Sequence, residues 1–205
     1  MIRKLFLVPL TLALLTALAV PAGATICRSA PSKPGTIVDV LIAKSTTGGF
    51  DNNPRDYDIL IKAAQTAELV GALSDPAAHL TLFAPDDAAF VRTARSLGFS
   101  GYDEQGAWNF LVGALTQLGN GNPIPVLTTI LLYHVAPVEL NAWQVLRSRQ
   151  INTLANATVG VCFVQLVDKA PKLPNAYLNV FALNQQASNG IIHGITRVLI
   201  PVDIG

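Results

Sequence analysis

Residues 81–90, Thr-Leu-Phe-Ala-Pro-Asp-Asp-Ala-Ala-Phe, decide the fold because they predict a buried strand that runs directly into a helix. The apolar run at 80–84 is typical of a short buried strand. Pro85 ends that strand because it has no N–H for a further ladder bond. Asp86 and Asp87 are both candidate N-caps for the helix that follows, and Asp87 is the preferred one.

Outside this stretch the pattern is helical first and strand-like afterwards. Apolar residues recur at helical spacing over 57–73 and 104–118, and Thr36 is a candidate cap for a helix that begins at Ile37. Beyond Gln150 the apolar spacing changes to period two. The predicted strands are 159–167, 178–184 and 191–200. Helices followed by strands indicate an α+β fold and argue against the alternation of a parallel nucleotide-binding sheet.

The composition is apolar and nearly neutral. Of 205 residues, 51% are apolar and 13% are charged, and the mean hydropathy is +0.43, which excludes an intrinsically disordered chain. The 14 Lys and Arg against 13 Asp and Glu leave no basic excess for nucleic acid. The apolar excess therefore has three candidate destinations: a membrane, a core or a ligand.

The N-terminus has the pattern of a secretory signal peptide over residues 1–24. Two basic residues precede an apolar run over 5–20, and a small-residue cleavage site ends at Ala24. The run is shorter than the about 20 residues that span a membrane, so a retained anchor is the weaker alternative. We expect a secreted protein, extracellular or periplasmic, with a tail over 25–35 and no transmembrane segment in the mature chain.

The two cysteines, Cys27 and Cys162, suit an oxidising compartment. A disulfide between them is the favoured hypothesis, because exported proteins form and keep disulfides. The alternative is two unpaired thiols, with Cys162 buried as a small apolar residue. Neither cysteine stands at metal-ligand spacing from another, so no zinc site is predicted.

Three ordered motifs resemble those of the fasciclin-type (FAS1) domain family. Residues 81–90 resemble its opening motif, 130–135 (Ile-Leu-Leu-Tyr-His-Val) its central Tyr-His motif, and 189–201 its closing motif. The resemblance covers about residues 36–202. It implies a β-sandwich-like wedge packed by several N-terminal and central helices, formed by one secreted domain.

The sequence departs from the family pattern in two places. Thr196 stands where the closing motif usually carries Asp, so this chain has no carboxylate there to make the contacts of that Asp. The stretch 91–129 is longer than the usual linker between the first two motifs and includes Trp108 and Phe110. The second departure adds apolar and aromatic surface to the domain.

The motif residues have structural roles before functional ones. Phe83 and Phe90 are predicted core anchors, because a buried aromatic side chain removes about 150–250 Å² from water. Gly190 is predicted to supply a positive-φ turn ahead of the last strands. His134 and His193 stand in apolar contexts, so we expect core histidines whose ring nitrogens are hydrogen-bonded.

No catalytic constellation is visible in the sequence. There is no Gly-rich phosphate loop and no nucleophile elbow. The neighbouring acids Asp86 and Asp87 are predicted caps, and Asp103 and Glu104 a solvated first helical turn, because adjacent side chains point apart. The three histidines are too scattered to predict a metal site. We expect a non-enzyme without catalytic residues, metal or required cofactor.

The first functional hypothesis follows from the family resemblance. It is an extracellular module for cell adhesion or for interaction with a protein, the matrix or a glycan. The resemblance implies that Tyr133 and His134 contribute to partner contact, and the alternative is that both simply pack in the core. Bridging two surfaces needs a second contact, such as a homodimer or an anchor. No nucleic-acid partner is expected.

The second hypothesis is a water-soluble carrier of an apolar small molecule such as a carotenoid, which some secreted single-domain members of the family resemble. Low charge and the aromatic-bearing insertion favour it, since a carrier needs a concave apolar site. Six side chains are candidates for the lining, with an ordinary core as the alternative: Ile37, Leu41, Trp108, Phe110, Leu111 and Leu115.

Separately, Asn156 begins an Asn-Ala-Thr sequon and is a candidate glycosylation site in a eukaryotic source.

Overall fold

The computed structural model describes residues 34–45 and 49–202. The predicted signal peptide and most of the predicted tail lie outside these ranges. The helices are α1 Ile37–Lys44, α2 Asp58–Thr66, α3 Val70–Leu73, α4 Asp87–Ser96, α5 Glu104–Leu118, α6 Ile124–Tyr133 and α7 Ala142–Arg147. The strands are β1 Leu80–Pro85, β2 Val135–Ala136, β3 Gln150–Asn152, β4 Thr158–Cys162, β5 Gln165–Val167, β6 Ala176–Tyr177, β7 Gln185–Ala187 and β8 Gly190–Ile195. No helix in the described ranges has the length and apolar character needed to cross a bilayer.

The first sheet joins the opening and closing motifs. Its strand order is β2-β1-β8-β7. Strand β1 pairs in parallel with β8, from Leu80 opposite Gly190 to Pro85 opposite Ile195, while β2 and β7 pair antiparallel. The described helices and strands from α4 to β7 lie between β1 and β8 in the chain. The β1–β8 pairing therefore joins the two ends of this long segment.

The second sheet, in the order β3-β4-β5-β6, is antiparallel throughout. Its buried side chains Val159 and Leu166 share a core with Phe83 of β1 and Tyr133 of α6. Another core lies among α1, α2 and α6 and includes Phe90 of α4. Helices packed on two sheets confirm the predicted α+β class, and both predicted phenylalanine anchors are buried.

The start of α1 is held from two directions. Thr36 caps the helix as predicted, in a capping box with Asp39. From the closing motif, the buried Asn189 accepts a hydrogen bond from the Ile37 N–H at 2.8 Å and donates one to the Leu73 carbonyl at 2.9 Å. The closing motif therefore supplies polar partners to the ends of two helices as well as a strand.

Two predicted elements are each divided in the structure. The helix predicted over 57–73 becomes α2 and α3, because Glu68 adopts a left-handed backbone (φ 57°) that no helix can continue through. The strand predicted over 159–167 becomes the β4–β5 hairpin, with Phe163 at a positive φ of 53° in its turn. Neither residue type signals a left-handed backbone, so the periodicity alone could not predict these breaks.

Two predictions for the closing region were wrong. The predicted strand 178–184 contains a 3₁₀ turn over Val180–Ala182, which the Asn179 side chain begins by accepting a hydrogen bond from the Phe181 N–H at 3.1 Å. Gly190 is not at a positive φ. It is needed because a Cβ there would lie 2.2 Å from the Leu80 carbonyl oxygen of the parallel neighbour strand.

Candidate functional site

The Tyr133 and His134 side chains lie in the core. The Tyr133 hydroxyl donates to the Thr158 carbonyl at 2.8 Å, and burial raises its pKa to about 12. His134, 1% exposed, donates from Nδ1 to the Ile130 carbonyl at 2.7 Å and accepts at Nε2 from the Leu199 N–H at 2.8 Å. These bonds select one neutral tautomer, and both side chains are out of reach of a partner in this conformation.

His193 is satisfied in the same way. Its Nε2 donates to the Leu140 carbonyl at 2.8 Å, and its Nδ1 accepts from the Asn184 N–H at 3.3 Å. Burial lowers the pKa of His193, and lowers that of His134 to about 4. The prediction of two hydrogen-bonded core histidines is confirmed.

The six candidate ligand-lining side chains do not form one site. Ile37 and Leu41 are buried in the core among the helices, where Leu41 also lines a small cavity of about 80 Å³. Trp108, Leu111 and Leu115 are half-buried on α5 and line a narrow apolar groove against α4 and α6, about 70 Å³ in volume. The sixth, Phe110, does not line that groove; its ring lies 5.6 Å from the ring of Phe99.

An open groove draws most of its lining from residues outside the three motifs, with Asp86 and Thr196 among the motif members. We call it the cationic groove; its volume is about 990 Å³. Its lining includes Lys44, Arg55, Tyr57, Asp86, Arg92, Asn179, Phe181 and Thr196. Three of these side chains are basic and one is acidic. They come from five separate stretches of sequence, so only the tertiary fold brings them together.

Arg92 and Phe181 give the cationic groove its character. Arg92 is held by Nε donating to the Thr196 carbonyl at 2.9 Å and by an ion pair with Asp86 at 3.2 Å. Phe181 stands on the 3₁₀ turn and is 97% exposed, an unusual setting for a phenylalanine. At the position where the family usually has Asp, the Thr196 hydroxyl accepts from the Tyr177 N–H at 3.0 Å. No carboxylate therefore stands at 196 to offset the basic side chains.

The predicted disulfide and glycosylation residues are placed only in part. Cys162 is an exposed thiol at the end of β4, so the interpretation of it as a buried apolar residue is wrong. Cys27 lies outside the described residues, and the disulfide stays a prediction. Asn156 is exposed in the turn between β3 and β4, and its glycosylation stays a prediction as well.

The capping prediction is confirmed for Asp86 and wrong for Asp87, and the prediction of a solvated first turn is wrong for Glu104. Asp86 caps α4 by accepting from the Ala89 N–H at 2.7 Å, and Asp103 likewise caps α5. Their neighbours turn inward instead. Asp87 is buried and, in place of capping α4, accepts the first free N–H groups of α2, at 3.0 and 2.9 Å. Glu104 is buried rather than solvated, with Oε2 accepting from the Asn52 N–H at 3.0 Å.

These inward acids gather with others into an acidic cluster, defined here as the exposed Asp51 and the buried Asp56, Asp58, Asp87 and Glu104. Burial, together with the adjoining Asp56 carboxyl, raises the pKa of Asp87 to about 9. Burial also raises the pKa of Asp58 and of Glu104. The sequence contained no signal for the cluster beyond acids at helix starts, because Asp51 and Asp56 lie in a segment with no predicted helix or strand, and nothing indicated which residues it contacts.

Comparison with known proteins agrees with the motifs and the fold. A sequence model of the fasciclin domain matches residues 55–201. Protein sll1483 of Synechocystis sp. (strain ATCC 27184 / PCC 6803 / Kazusa) is 28% identical over 178 residues, which cover 87% of this chain and 80% of that protein. The fold is similar to a FAS1 domain pair from the insect cell adhesion molecule fasciclin I, with a TM-score of 0.57 and 15% identity over 82% of this chain.

The chain spans about half, 51%, of the length of that domain pair. Fasciclin domains are generally non-enzymatic binding or adhesion modules and are commonly extracellular. The family match extends over most of the chain and contains all three motifs. The chain therefore belongs to the fasciclin domain family.

Proposed function

We propose that this protein is an exported, non-enzymatic fasciclin module that binds an acidic extracellular polysaccharide in the cationic groove. The observation that carries the proposal is the pairing of three basic side chains, Lys44, Arg55 and Arg92, with the exposed ring of Phe181 in one open groove. Because Tyr133 and His134 are buried, the exposed residues of the groove are the better candidates for contact with a partner.

The chemistry of the groove suits an anionic sugar chain. Arginine forms paired hydrogen bonds with carboxylate and sulfate-like groups, which gives orientation as well as affinity. A fully exposed phenylalanine offers a flat apolar face for a sugar ring, and exposed aromatic side chains are enriched where proteins bind partners. The groove is open and wide, as an extended chain needs, whereas a small-molecule site is usually more enclosed.

Adhesion between two surfaces requires more than this groove. A second contact must come from a homodimer, an anchor or the same polymer binding several molecules. We propose the polysaccharide contact as the primary activity, and secretion through residues 1–24 as its route to the ligand. Mass spectrometry of the exported protein tests the second point, with a chain beginning at residue 25 as the expected result.

The test of the groove is sedimentation with an insoluble uronic-acid polysaccharide, with neutral cellulose as the reference. Wild-type protein is expected to bind the acidic polymer and to lose binding as salt rises, because exposed charges are screened. Arg55→Ala and Phe181→Ala are each expected to weaken binding at least fivefold. Arg149→Ala, which removes an exposed arginine outside the groove lining, is the matched control and should bind as the wild type does.

Two results would overturn this proposal. Equal binding to neutral and acidic polymers would remove the role of charge. Equal loss in Arg149→Ala and Arg55→Ala would remove the role of the groove. Capture of an acidic protein rather than a polysaccharide, with the same dependence on Arg55, would keep the groove as the binding site and replace the partner class.

The carrier hypothesis is the second candidate, supported by the apolar groove of Trp108, Leu111 and Leu115. Its volume of about 70 Å³ is far below the about 300–1,000 Å³ of a typical small-molecule pocket. A carotenoid would therefore have to lie along the groove or displace α5. Trp143→Phe leaves Trp108 as the sole tryptophan of the chain, and quenching of its fluorescence on mixing with carotenoid is the expected result for a carrier. Unchanged emission would reject this function.

A further inference from the structure

The acidic cluster brings carboxylates from four places in the chain into one small volume. Asp58, Asp87 and Glu104 are the first residues of α2, α4 and α5, and Asp51 and Asp56 come from the loop before α2. Their oxygens form two overlapping triads, and within each triad the oxygens lie within 4.8 Å of one another. The triads are Asp51, Asp58 and Glu104, and Asp56, Asp87 and Glu104.

Several of these oxygens are buried without a partner. Asp56 is 1% exposed, its carboxylate oxygens accept no hydrogen bond from an N–H or hydroxyl group of the described residues, and the described partner within reach is the Asp87 carboxyl. Glu104 is 2% exposed, and its Oε1 is unpartnered within the described part of the chain. A buried polar atom without a partner is destabilising, and more so when it is charged. These two side chains therefore point to a proton or a cation as the partner of the buried oxygens.

Three buried acids of the cluster have no basic ion-pair partner in the described part of the chain. Among the residues that the structure describes, no Lys, Arg or His forms an ion pair with Asp56, Asp87 or Glu104. Arg92, a nearby base, pairs with Asp86 instead. An ionised carboxylate can accept hydrogen bonds but cannot donate them. Adjacent ionised carboxylates therefore repel one another unless a proton or a cation lies between them.

We propose that the acidic cluster is a divalent-cation site for Ca²⁺, placed where the two triads meet at Glu104. The donors are all oxygens, which suits a hard cation, and several are carboxylates, which suits Ca²⁺. Oxygens within 4.8 Å of one another can contact a single ion at the Ca–O distance of about 2.3–2.6 Å. An open groove of about 230 Å³, lined by Asp87, Glu104 and Asn52 among others, gives access from solvent.

The ion would tie three helix starts to one loop. Asp87 already accepts the first N–H groups of α2, and Glu104 already accepts from the loop at Asn52. Binding of the ion would therefore stabilise the folded domain by reinforcing contacts between these helices and the loop that already exist without the ion. The competing occupant is a proton shared by Asp56 and Asp87, and the experiment separates the two.

The experiment is thermal unfolding of the purified full chain after treatment with a chelator, with and without CaCl₂. Extracellular calcium modules bind with Kd of about 10⁻⁴–10⁻³ M. At tenfold excess over such a Kd, the melting temperature is expected to rise by about 3–6 °C. Mg²⁺ at the same concentration is expected to give a smaller rise, because it demands tighter octahedral geometry.

Two variants make the result specific. Glu104→Gln keeps an oxygen for the Asn52 N–H but removes the shared charge, and is expected to lose the calcium response. Asp103→Asn removes a charge from the next residue, keeps the α5 cap and leaves both triads intact, and is expected to respond as the wild type does. No calcium-dependent rise in the wild type, or an equal rise in Glu104→Gln, would overturn the proposal. A rise with Mg²⁺ alone would overturn the choice of Ca²⁺.

Discussion

Two buried polar regions of this domain differ in how their hydrogen bonds are completed. Around Tyr133 and His134, the hydroxyl and both ring nitrogens have a backbone partner at 2.7–2.8 Å. In the acidic cluster, the buried Glu104 Oε1 has no partner within the described residues, and Asp56 has only the Asp87 carboxyl within reach among them. A satisfied polar group in a core is explained by packing. An unsatisfied one requires a further explanation, and here a ligand provides it.

The largest expected effect lies in the satisfied region. His134→Ala removes the partners of the Ile130 carbonyl and the Leu199 N–H and leaves a cavity, so the free energy of unfolding should fall by about 3–5 kcal/mol. Denaturant unfolding measures this loss. His79→Ala, at an exposed histidine, is the control and should cost less than about 1 kcal/mol. Equal losses of unfolding free energy in the two variants would show that the buried hydrogen bonds of His134 do not stabilise the fold.

The unsatisfied region should respond with the opposite sign. In the presence of chelator, Glu104→Gln should raise the free energy of unfolding by about 1 kcal/mol, because it removes one of several buried like charges. The amide can also donate to a neighbouring carboxylate. Chelator-treated wild type and variant are compared by urea unfolding. A clear loss of stability in the variant would mean that Glu104 is already satisfied without an ion.

A loss between the magnitudes of the two preceding effects is expected at the tyrosine of the satisfied region. Tyr133→Phe removes only the hydroxyl that donates to the Thr158 carbonyl, which should cost about 1–2 kcal/mol. Urea unfolding of this variant gives the value. An unchanged midpoint would show that the bond from α6 to β4 contributes nothing measurable to stability.

The smallest expected change is in the NMR spectrum of His134, whose ring should not titrate near its ordinary pKa in the native protein. Burial lowers the pKa of His134 to about 4 in the folded protein, against about 6.5 when it is unfolded. The unfolded state therefore binds more protons between these values, and the stability due to His134 is complete above pH 6.5 and lost as the pH falls towards 4. NMR should show its ring resonances unchanged from pH 7.5 to 5 in the native protein, and titrating near 6.5 in urea. Titration near 6.5 in the native protein would contradict the buried neutral ring.

The local structure that depends on nearby residues could be predicted from the sequence. The Thr36 cap, the strand at 80–84 and the helix over 104–118 follow from spacing and capping chemistry, and the structure confirms all three. The parallel pairing of β1 with β8 joins residues about 110 positions apart in the chain, and no local pattern encodes such a partner.

The candidate sites were less predictable, because both depend on which side chains the fold brings together. The cationic groove combines Arg55 from a loop, Arg92 from a helix and Phe181 from a segment predicted as a strand. In the acidic cluster, the error came from treating Asp87 and Glu104 as members of adjacent pairs. In each pair the first acid caps the helix, and the second is free to turn into the core.

A crystal structure of the full chain grown with CaCl₂, with anomalous scattering recorded from a Tb³⁺-exchanged crystal, tests the central contrast most directly. We expect an anomalous peak within about 2.6 Å of Glu104 Oε1 and of at least two other carboxylate oxygens of the acidic cluster, and no peak near Tyr133 or His134. A cluster without a peak, in which Asp56 and Asp87 share a proton at hydrogen-bond distance, would contradict it.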